Sequence, residues 1–185
     1  MKKIGVLTTG GDAPGMNVAI RAVVRTALGM GVEVTGIEKG FLGLYDRLFL
    51  ELNSRSVSGI INKGGTFLKT ARFPEFRDKK VRTQAYENLK HAGIEGLVVI
   101  GGDGSARGSY SFSVDFDFPV VLLPASIDND LYGTDFTIGF DTAVNTAVNA
   151  VDKIRDTATS HERTFIIEVM GREIGNFAIE VAVAC

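Results

Sequence analysis

Short apolar runs alternate along the chain with longer segments in which apolar residues recur every three or four positions. The short runs are typical of buried strands, and the longer segments are typical of helices with one apolar face. This pattern predicts strands over residues 4–9, 32–37, 97–100, 120–123 and 164–169. It predicts helices over residues 16–28, 54–62, 78–92 and 141–158, and from 175 onward.

Helix ends are marked by a few residues. Asp78 and Asp141 are placed to act as N-caps, and Gly93 is placed to end the helix that Asp78 begins. Residues 109–118 alternate polar and apolar side chains, so they fit either an exposed strand or the end of a helix. The last helix has no glycine cap, basic last turn or polar tail, so we expect a truncated piece of a longer protein.

Strands that are apolar on both faces and are separated by helices predict an α/β fold, with a mostly parallel sheet sandwiched by helices. In such a sheet, ligands bind at the loops that leave the carboxyl ends of the strands. We therefore expect the functional residues in those loops.

Composition excludes several classes of function. Lys and Arg total 20 against 22 Asp and Glu, a net charge of −2, so nucleic acid is not an expected partner. No apolar run approaches the roughly 20 residues that span a bilayer, and the short amino-terminal run does not fit a signal peptide. The single cysteine, Cys185, can form no internal disulfide, and no Cys/His spacing suggests zinc. A cytoplasmic protein without a membrane partner is expected.

Two glycine-rich segments follow predicted strands. Residues 10–17 read Gly-Gly-Asp-Ala-Pro-Gly-Met-Asn, and residues 101–105 read Gly-Gly-Asp-Gly-Ser. Glycine lets the backbone approach a ligand closely, and the N–H groups that open the next helix attract anions. The first segment fits a phosphate loop or a plain strand–helix turn. In the second, Asp103 either binds Mg²⁺ on a polyphosphate or caps the helix, and we favour the former.

A third segment, residues 124–130, reads Pro-Ala-Ser-Ile-Asp-Asn-Asp after another predicted strand. Phosphoryl transfer needs a base near the attacking hydroxyl, Mg²⁺ and positioned cations. Asp128 fits the base and Asp130 a magnesium-side or orienting carboxylate. An Asx-rich turn explains the same residues equally well.

Arginines in loops and on one helix are candidate anion-binding groups. Arg72 and Arg77 flank aromatic residues, as a nucleotide clamp would, while Arg21 and Arg25 lie one helical turn apart. Each also fits a solvated surface. We assign structural roles to His91 and His161.

Taken in order, seven segments resemble the bacterial ATP-dependent 6-phosphofructokinases over essentially the whole chain. They are G-G-D-A-P-G-M-N, A-R-F-P-E-F-R, G-G-D-G-S, I-D-N-D, G-T-D-F-T-I-G-F, S-H-E-R and V-M-G-R. The resemblance implies a phosphofructokinase-like fold and a glycolytic, allosteric kinase. Such an enzyme transfers the γ-phosphate of MgATP to the 1-hydroxyl of fructose 6-phosphate, giving ADP and fructose 1,6-bisphosphate.

The same resemblance implies a role for individual residues. Asp128 would be the base, and Asp103 would hold Mg²⁺. ATP would be bound by Gly11, Arg72, Phe73, Gly102, Asp103, Gly104 and Ser105. Fructose 6-phosphate would be bound by Ser126, Ile127, Asp128, Met170, Gly171, Arg172 and, from a neighbouring subunit of a homotetramer, Arg163. A nucleotide effector would be bound by Arg21, Arg25 and Arg155.

The resemblance also implies the phosphoryl donor. Relatives that use pyrophosphate carry Asp at the position of Gly104 and Lys at the position of Ala125, so ATP is the expected donor here. The sequence departs from the bacterial pattern where Ala125-Ser126 replaces Gly-Thr and where Ala106-Arg107 replaces a pair containing Tyr. Residues 109–118 fit the pattern poorly.

On this resemblance, residues 1–140 form a nucleotide-binding α/β domain. Residues 141–185 form a crossover helix and the incomplete start of a substrate domain, so the isolated chain is expected to be inactive. Two other functions remain possible: another kinase with Gly-Gly-Asp-Gly, such as an NAD or diacylglycerol kinase, and a non-catalytic nucleotide-sensing module.

Overall fold

A computed structural model describes residues 1–171 and 174–185 of the chain. Its strands are β1 (Lys3–Thr9), β2 (Glu33–Ile37), β3 (Phe49–Leu52), β4 (Leu97–Gly101) and β5 (Val120–Pro124). Its helices are α1 (Met16–Gly29), α2 (Gly40–Asp46), α3 (Lys79–His91), α4 (Asp103–Phe116), α5 (Phe140–His161) and α6 (Asn176–Ala184). A 3-10 turn over Pro74–Arg77 precedes α3.

Within the described residues, the five strands form one sheet in the order β3-β2-β1-β4-β5. Neighbours pair in parallel except β3, which pairs antiparallel with β2 at one edge. β1 is central and is buried from Gly5 to Thr9. The prediction of a mostly parallel α/β sheet is confirmed.

Helices cover both faces of the sheet because successive residues of a strand point in opposite directions. Val6 belongs to a core that includes Ile20 and Val24 of α1, whereas the next residue, Leu7, belongs to a core that includes Phe112 of α4. α2 and α3 contribute to the same core as α4. The sandwich therefore follows from an apolar residue at every position in the centre of β1.

A third, smaller apolar cluster lies outside the sheet. Phe140 of α5 packs with Phe177 and Val181 of α6, and further apolar residues of α5 cover them. Its buried members are shared with neither core of the sheet.

The helix predicted over residues 54–62 is wrong, since the segment forms hydrogen-bonded turns. The side-chain oxygen of Asn53 accepts hydrogen bonds from the backbone N–H groups of Arg55 and Ser56, at 2.9 and 3.1 Å. Such local bonds compete with helix formation. Gly59, with φ 69°, then takes the chain out of any helical path.

The strand predicted over residues 164–169 is also wrong, because this segment pairs with no strand of the described structure. A strand needs a hydrogen-bonded neighbour, which an apolar run cannot specify by itself. Several of its side chains remain in solvent, and Ile166 is 99% exposed.

The structure tests the two predicted N-caps and shows which conformation residues 109–118 adopt. Asp78 caps α3 by accepting a hydrogen bond from Lys80 N at 2.8 Å, as predicted, and Gly93 follows with φ 69°. Asp141 is not the N-cap of α5, because Gly139 takes that position with φ 102° and Asp141 lies in the first turn. Residues 103–116 are helical, and Asp117 ends α4 in the left-handed conformation.

Arg82 of α3 ties α4 to the 3-10 turn. Its guanidinium lies 2.6 Å from a carboxylate oxygen of Asp115, and it donates to the carbonyls of Phe76 and Arg77 at 2.9 and 2.7 Å. The hydrogen bond from Arg82 lowers the pKa of Asp115 below its ordinary value. Among residues 1–171 and 174–185, no helix has both the length and the apolarity to cross a membrane.

We expect Asp115→Asn to destabilise the protein at pH 7 and to do so less as the solution becomes more acid. A carboxylate whose folded pKa is lowered stabilises the fold above its unfolded pKa, and this contribution is lost as the pH falls through the folded value. The check is the urea midpoint of both proteins from pH 7 down to pH 3. Asp156→Asn, an exposed change on α5, is the control. A midpoint difference that did not shrink toward pH 3 would contradict the assignment.

Candidate active site

Three loops leave the carboxyl ends of β1, β4 and β5, which are parallel neighbours in the sheet. From β1 the chain proceeds to β2 on one side, while β4 and β5 lie on the other. The crevice outside such a reversal of strand order is where open α/β sheets bind ligands. Predicted site residues lie in all three loops: Gly11 after β1, Gly102 to Ser105 after β4, and Ser126 to Asp128 after β5.

A buried hydroxyl joins the end of β1 to the first turn of α4, and so holds the loops after β1 and β4 close together. Ser105 is 4% exposed, and its Oγ donates to the carbonyl of Thr9 at 3.0 Å. Gly101 lets the loops come this close, because a Cβ at that position would lie 2.5 Å from the same Thr9 oxygen. The Ser105 side chain therefore positions the two loops.

Asp103 opens α4 but does not cap it. The N-cap position is Gly102, and no side chain caps this helix. Both carboxylate oxygens of Asp103 instead accept hydrogen bonds from Nε of Arg107, one turn further along α4, at 2.9 and 3.1 Å. The cap interpretation is therefore excluded, while the carboxylate remains 44% exposed at the glycine loop.

The loop after β5 lies against the loop after β4. A Cβ built on Gly102 would be 3.5 Å from Cβ of Ser126. Ser126 Oγ accepts a hydrogen bond from the backbone N–H of Asp128 at 3.1 Å. Among the described residues, no hydrogen bond or ion pair engages the half-buried carboxylate of Asp128, which is thus available to act on a ligand.

Asn129 closes the rest of this loop. It adopts the left-handed conformation, with φ 49°. Its side chain donates to the carbonyl of Asp135 at 3.0 Å and accepts from the N–H of Thr137 at 2.9 Å. The Asx-turn interpretation is correct for Asn129, so the turn does not use the carboxylate of Asp128.

The segment that leads to Arg72 and Phe73 is anchored to the first glycine loop by Asn17. The buried amide of Asn17 donates to the carbonyls of Lys63 and Gly65 at 3.1 and 2.9 Å, and its oxygen accepts from Phe67 N at 2.7 Å. Two further bonds, Thr66 to Asp12 and Thr8 to the carbonyl of Lys69, hold the same segment. Phe73 is half-buried and Arg72 is exposed.

The remaining predicted substrate residues lie at the other end of the chain. Met170 is exposed, and Gly171 is buried close to Phe177 of α6. Asn176, at the start of α6, donates to the carbonyl of Asn129 at 3.2 Å and so joins α6 to the Asp128 loop. Ile127 is half-buried against the α1-side core, and Arg163 is exposed after α5. The prediction for Arg172 falls outside the described residues.

The three predicted effector arginines have different environments. Arg21 donates to the carbonyl of Val57 at 2.7 Å, while Arg25, on the same helix, is exposed. Arg155 of α5 lies 3.8 Å from Asp152 and also donates to the carbonyl of Cys185.

The donor set of the site fits magnesium better than a metal held by protein alone. In the part of the chain that the structure describes, no three His, Cys, Asp or Glu residues form a group that could hold an ion. Mg²⁺ usually takes one or two carboxylates together with substrate phosphates and water. Asp103, beside the glycine-rich loop after β4, is a carboxylate of that type.

Several positioning residues escaped the sequence analysis. Asn17 and Asn129 stand inside motifs that were recognised, but their side chains bond to residues outside those motifs. Thr137, whose hydroxyl donates to the carbonyl of Ser126 at 2.6 Å, stands inside G-T-D-F-T-I-G-F, but nothing in that segment indicates this bond. Arg107 did carry one, since its i,i+4 spacing from Asp103 is typical of a helical ion pair.

Comparisons with known proteins agree on one family. The family model described as Phosphofructokinase matches residues 3–185. The ATP-dependent 6-phosphofructokinase of Vibrio cholerae is 57% identical over 184 residues, which cover all of this chain and 57% of that protein. The chain thus spans little more than half the length of this relative.

Solved structures give the same fold. Phosphofructokinase from Saccharomyces cerevisiae matches with a TM-score of 0.94 at 40% identity, over 99% of this chain and 28% of that chain. Pyrophosphate-dependent phosphofructokinase from Marinobacter aquaeolei matches with a TM-score of 0.86 over all of this chain and 50% of that chain. At 21% identity, the latter likeness concerns the fold alone.

We expect Asn17→Ala to release the segment over residues 63–67 and to lower the free energy of unfolding by about 1–3 kcal/mol, because the three hydrogen bonds of a buried amide are lost. Urea unfolding measures the loss, and limited proteolysis should show faster cleavage within this segment. Asn53→Ala removes only local bonds to Arg55 and Ser56 and is the control. Cleavage at the wild-type rate would contradict the anchoring role.

Proposed function

Because the chain belongs to the phosphofructokinase family, we propose that it carries the nucleotide-binding part of an enzyme that phosphorylates fructose 6-phosphate with MgATP. The products are ADP and fructose 1,6-bisphosphate, as in glycolysis. One observation carries the proposal: the unengaged carboxylate of Asp128 stands in a loop that touches the Gly102 loop of the neighbouring strand. The identity of 57% to a protein named as ATP-dependent supports it.

ATP would bind at the crevice between β1 and β4. Its phosphates would meet the backbone of Gly11 and of Gly102 to Ser105, where the start of α4 presents N–H groups and the positive end of the helix dipole. Arg72 and Phe73, on the segment anchored by Asn17, would border the nucleotide. Asp103 would hold Mg²⁺, which neutralises phosphate charge when bound.

Asp128 would act as the general base. It would take the proton of the sugar's 1-hydroxyl as that oxygen bonds to the γ-phosphorus, while the bond from phosphorus to the bridging oxygen breaks and ADP leaves. Ser126 holds the N–H of Asp128 and thereby fixes the base relative to Gly102. The sugar phosphate would also contact Ile127, Met170, Gly171 and Arg172.

The organisation of the whole protein is part of the proposal. Residues 1–140 would be the nucleotide domain and residues 141–185 the start of the substrate domain, which the separate cluster of α5 and α6 supports. In a homotetramer, Arg163 would reach the site of a neighbouring subunit. Arg21, Arg25 and Arg155 would bind a nucleotide effector.

ATP rather than pyrophosphate is the proposed donor. Gly104 is exposed, and a Cβ built on it meets no atom within 4 Å. The space beside the phosphate loop is thus open to the part of ATP that pyrophosphate lacks.

In the complete gene product, Asp128→Asn should reduce kcat by roughly 10²- to 10⁴-fold, because the amide cannot accept the hydroxyl proton. ADP formation with ATP, Mg²⁺ and fructose 6-phosphate measures the loss, and binding of a fluorescent ATP analogue should be unchanged. Asp135→Asn, an exposed change on the same loop, is expected to keep the wild-type kcat. A wild-type protein without sugar phosphorylation, or a fully active Asp128→Asn variant, would refute the proposal.

Gly104→Asp should raise KM for ATP by about ten-fold or more, because a carboxylate placed at the phosphate loop repels the nucleotide. The open space around Gly104 leaves folding unaffected. Gly104→Ala adds a side chain without a charge, so this control variant should keep most of the affinity for ATP. The measurement is the ratio of pyrophosphate to ATP use, which is expected to rise only in the Asp variant. An unchanged ratio would show that this position does not select the donor.

A further inference from the structure

Arg107 forms hydrogen bonds to the carboxylate of Asp103, which the proposed function assigns to magnesium. Its Nε lies 2.9 and 3.1 Å from the two carboxylate oxygens of Asp103, so both oxygens are engaged at once. The pair joins the first residue of α4 to the next turn of the same helix. A metal ion bound by Asp103 must therefore share or displace this contact.

We propose that Arg107 is an internal counter-ion of Asp103, which holds the carboxylate while the metal is absent and sets how much Mg²⁺ is needed to bind the nucleotide. This inference rests on the proposed function. It adds a residue that regulates the Mg²⁺ concentration at which the nucleotide binds.

The surroundings of the pair make exchange possible. Arg107 is 80% exposed and Asp103 is 44% exposed, so the guanidinium can swing into solvent without leaving a buried charge. Its terminal amino groups make no hydrogen bond to another residue that the structure describes. Once released, this cation remains on α4, one turn after Asp103, and both carboxylate oxygens of Asp103 become accessible to the metal.

Two opposite effects on binding follow from one side chain. With Mg²⁺ present, Arg107 competes for Asp103 and raises the metal concentration at which the nucleotide binds. Without Mg²⁺, Arg107 neutralises Asp103, which would otherwise repel the phosphates. An exposed helical ion pair is weak and is screened by salt, so both effects should be about two- to five-fold and largest at low ionic strength.

The test uses the complete gene product and a fluorescent ATP analogue titrated at increasing Mg²⁺, with binding rather than turnover as the readout. In Arg107→Met, the Mg²⁺ concentration at half-maximal binding should fall about two- to five-fold. In EDTA, the affinity of the same variant for the analogue should fall by a similar factor. Arg107→Gln should reproduce both changes. Lys90→Met removes a surface cation of α3 that lies 3.8 Å from Glu87 and should behave as wild type.

A double-mutant cycle separates the direct contact from a general loss of positive charge. In an Asp103→Asn background, adding Arg107→Met should cause no further change in the Mg²⁺ midpoint if the pair itself is responsible. Unchanged midpoints for both Arg107 variants, or an equal shift with Asp103 absent, would overturn the counter-ion role and leave the proposed function standing. A wild-type protein that binds no analogue at any Mg²⁺ concentration would overturn both.

Discussion

The site depends on how closely the loops after β1 and β4 approach each other. The parallel neighbours β1 and β4 are paired up to Thr9 and Gly101, so their carboxyl ends lie side by side at one edge of the sheet. Gly101 removes the Cβ that would meet the Thr9 carbonyl at 2.5 Å, and the Ser105 hydroxyl then bonds that carbonyl at 3.0 Å. This contact fixes the start of α4, and with it Asp103, relative to the glycine loop of β1.

Short polar side chains position the loops of the site, and the carboxylate of Asp128 is left available. Ser105 joins two loops, Asn17 anchors the segment before Arg72, and Asn129 closes the loop of Asp128. Amides and hydroxyls can be buried once their hydrogen bonds are satisfied, whereas a buried carboxylate requires a counter-charge. Asp128 is therefore held through its backbone N–H, by Ser126, and its carboxylate need not serve the fold.

The sequence predicts those parts of the fold whose signal is local. The four long strands and most helices were predicted because apolar spacing directly reflects which face is buried. The seven-residue helix α2 and edge strand β3 were missed, since α2 is too short to show a period and β3 exists only by pairing with β2. The error at 164–169 has the same cause: an apolar run states that a segment prefers burial, but not which neighbour will pair with it.

The site residues that the sequence predicts have a local signal, whereas those that were missed are defined by contacts with other segments. Glycine and carboxylate motifs after strands locate the three loops, because any parallel sheet brings such loops to one edge. The bonds of Asn17 to residues 63–67 and of Thr137 to Ser126 depend on how the loops meet, and no spacing within either motif encodes them. Arg107 lies between these cases. Its spacing predicts a pair with Asp103, but only the packing of the start of α4 against the end of β1 and the β5 loop places this helical ion pair at the candidate site.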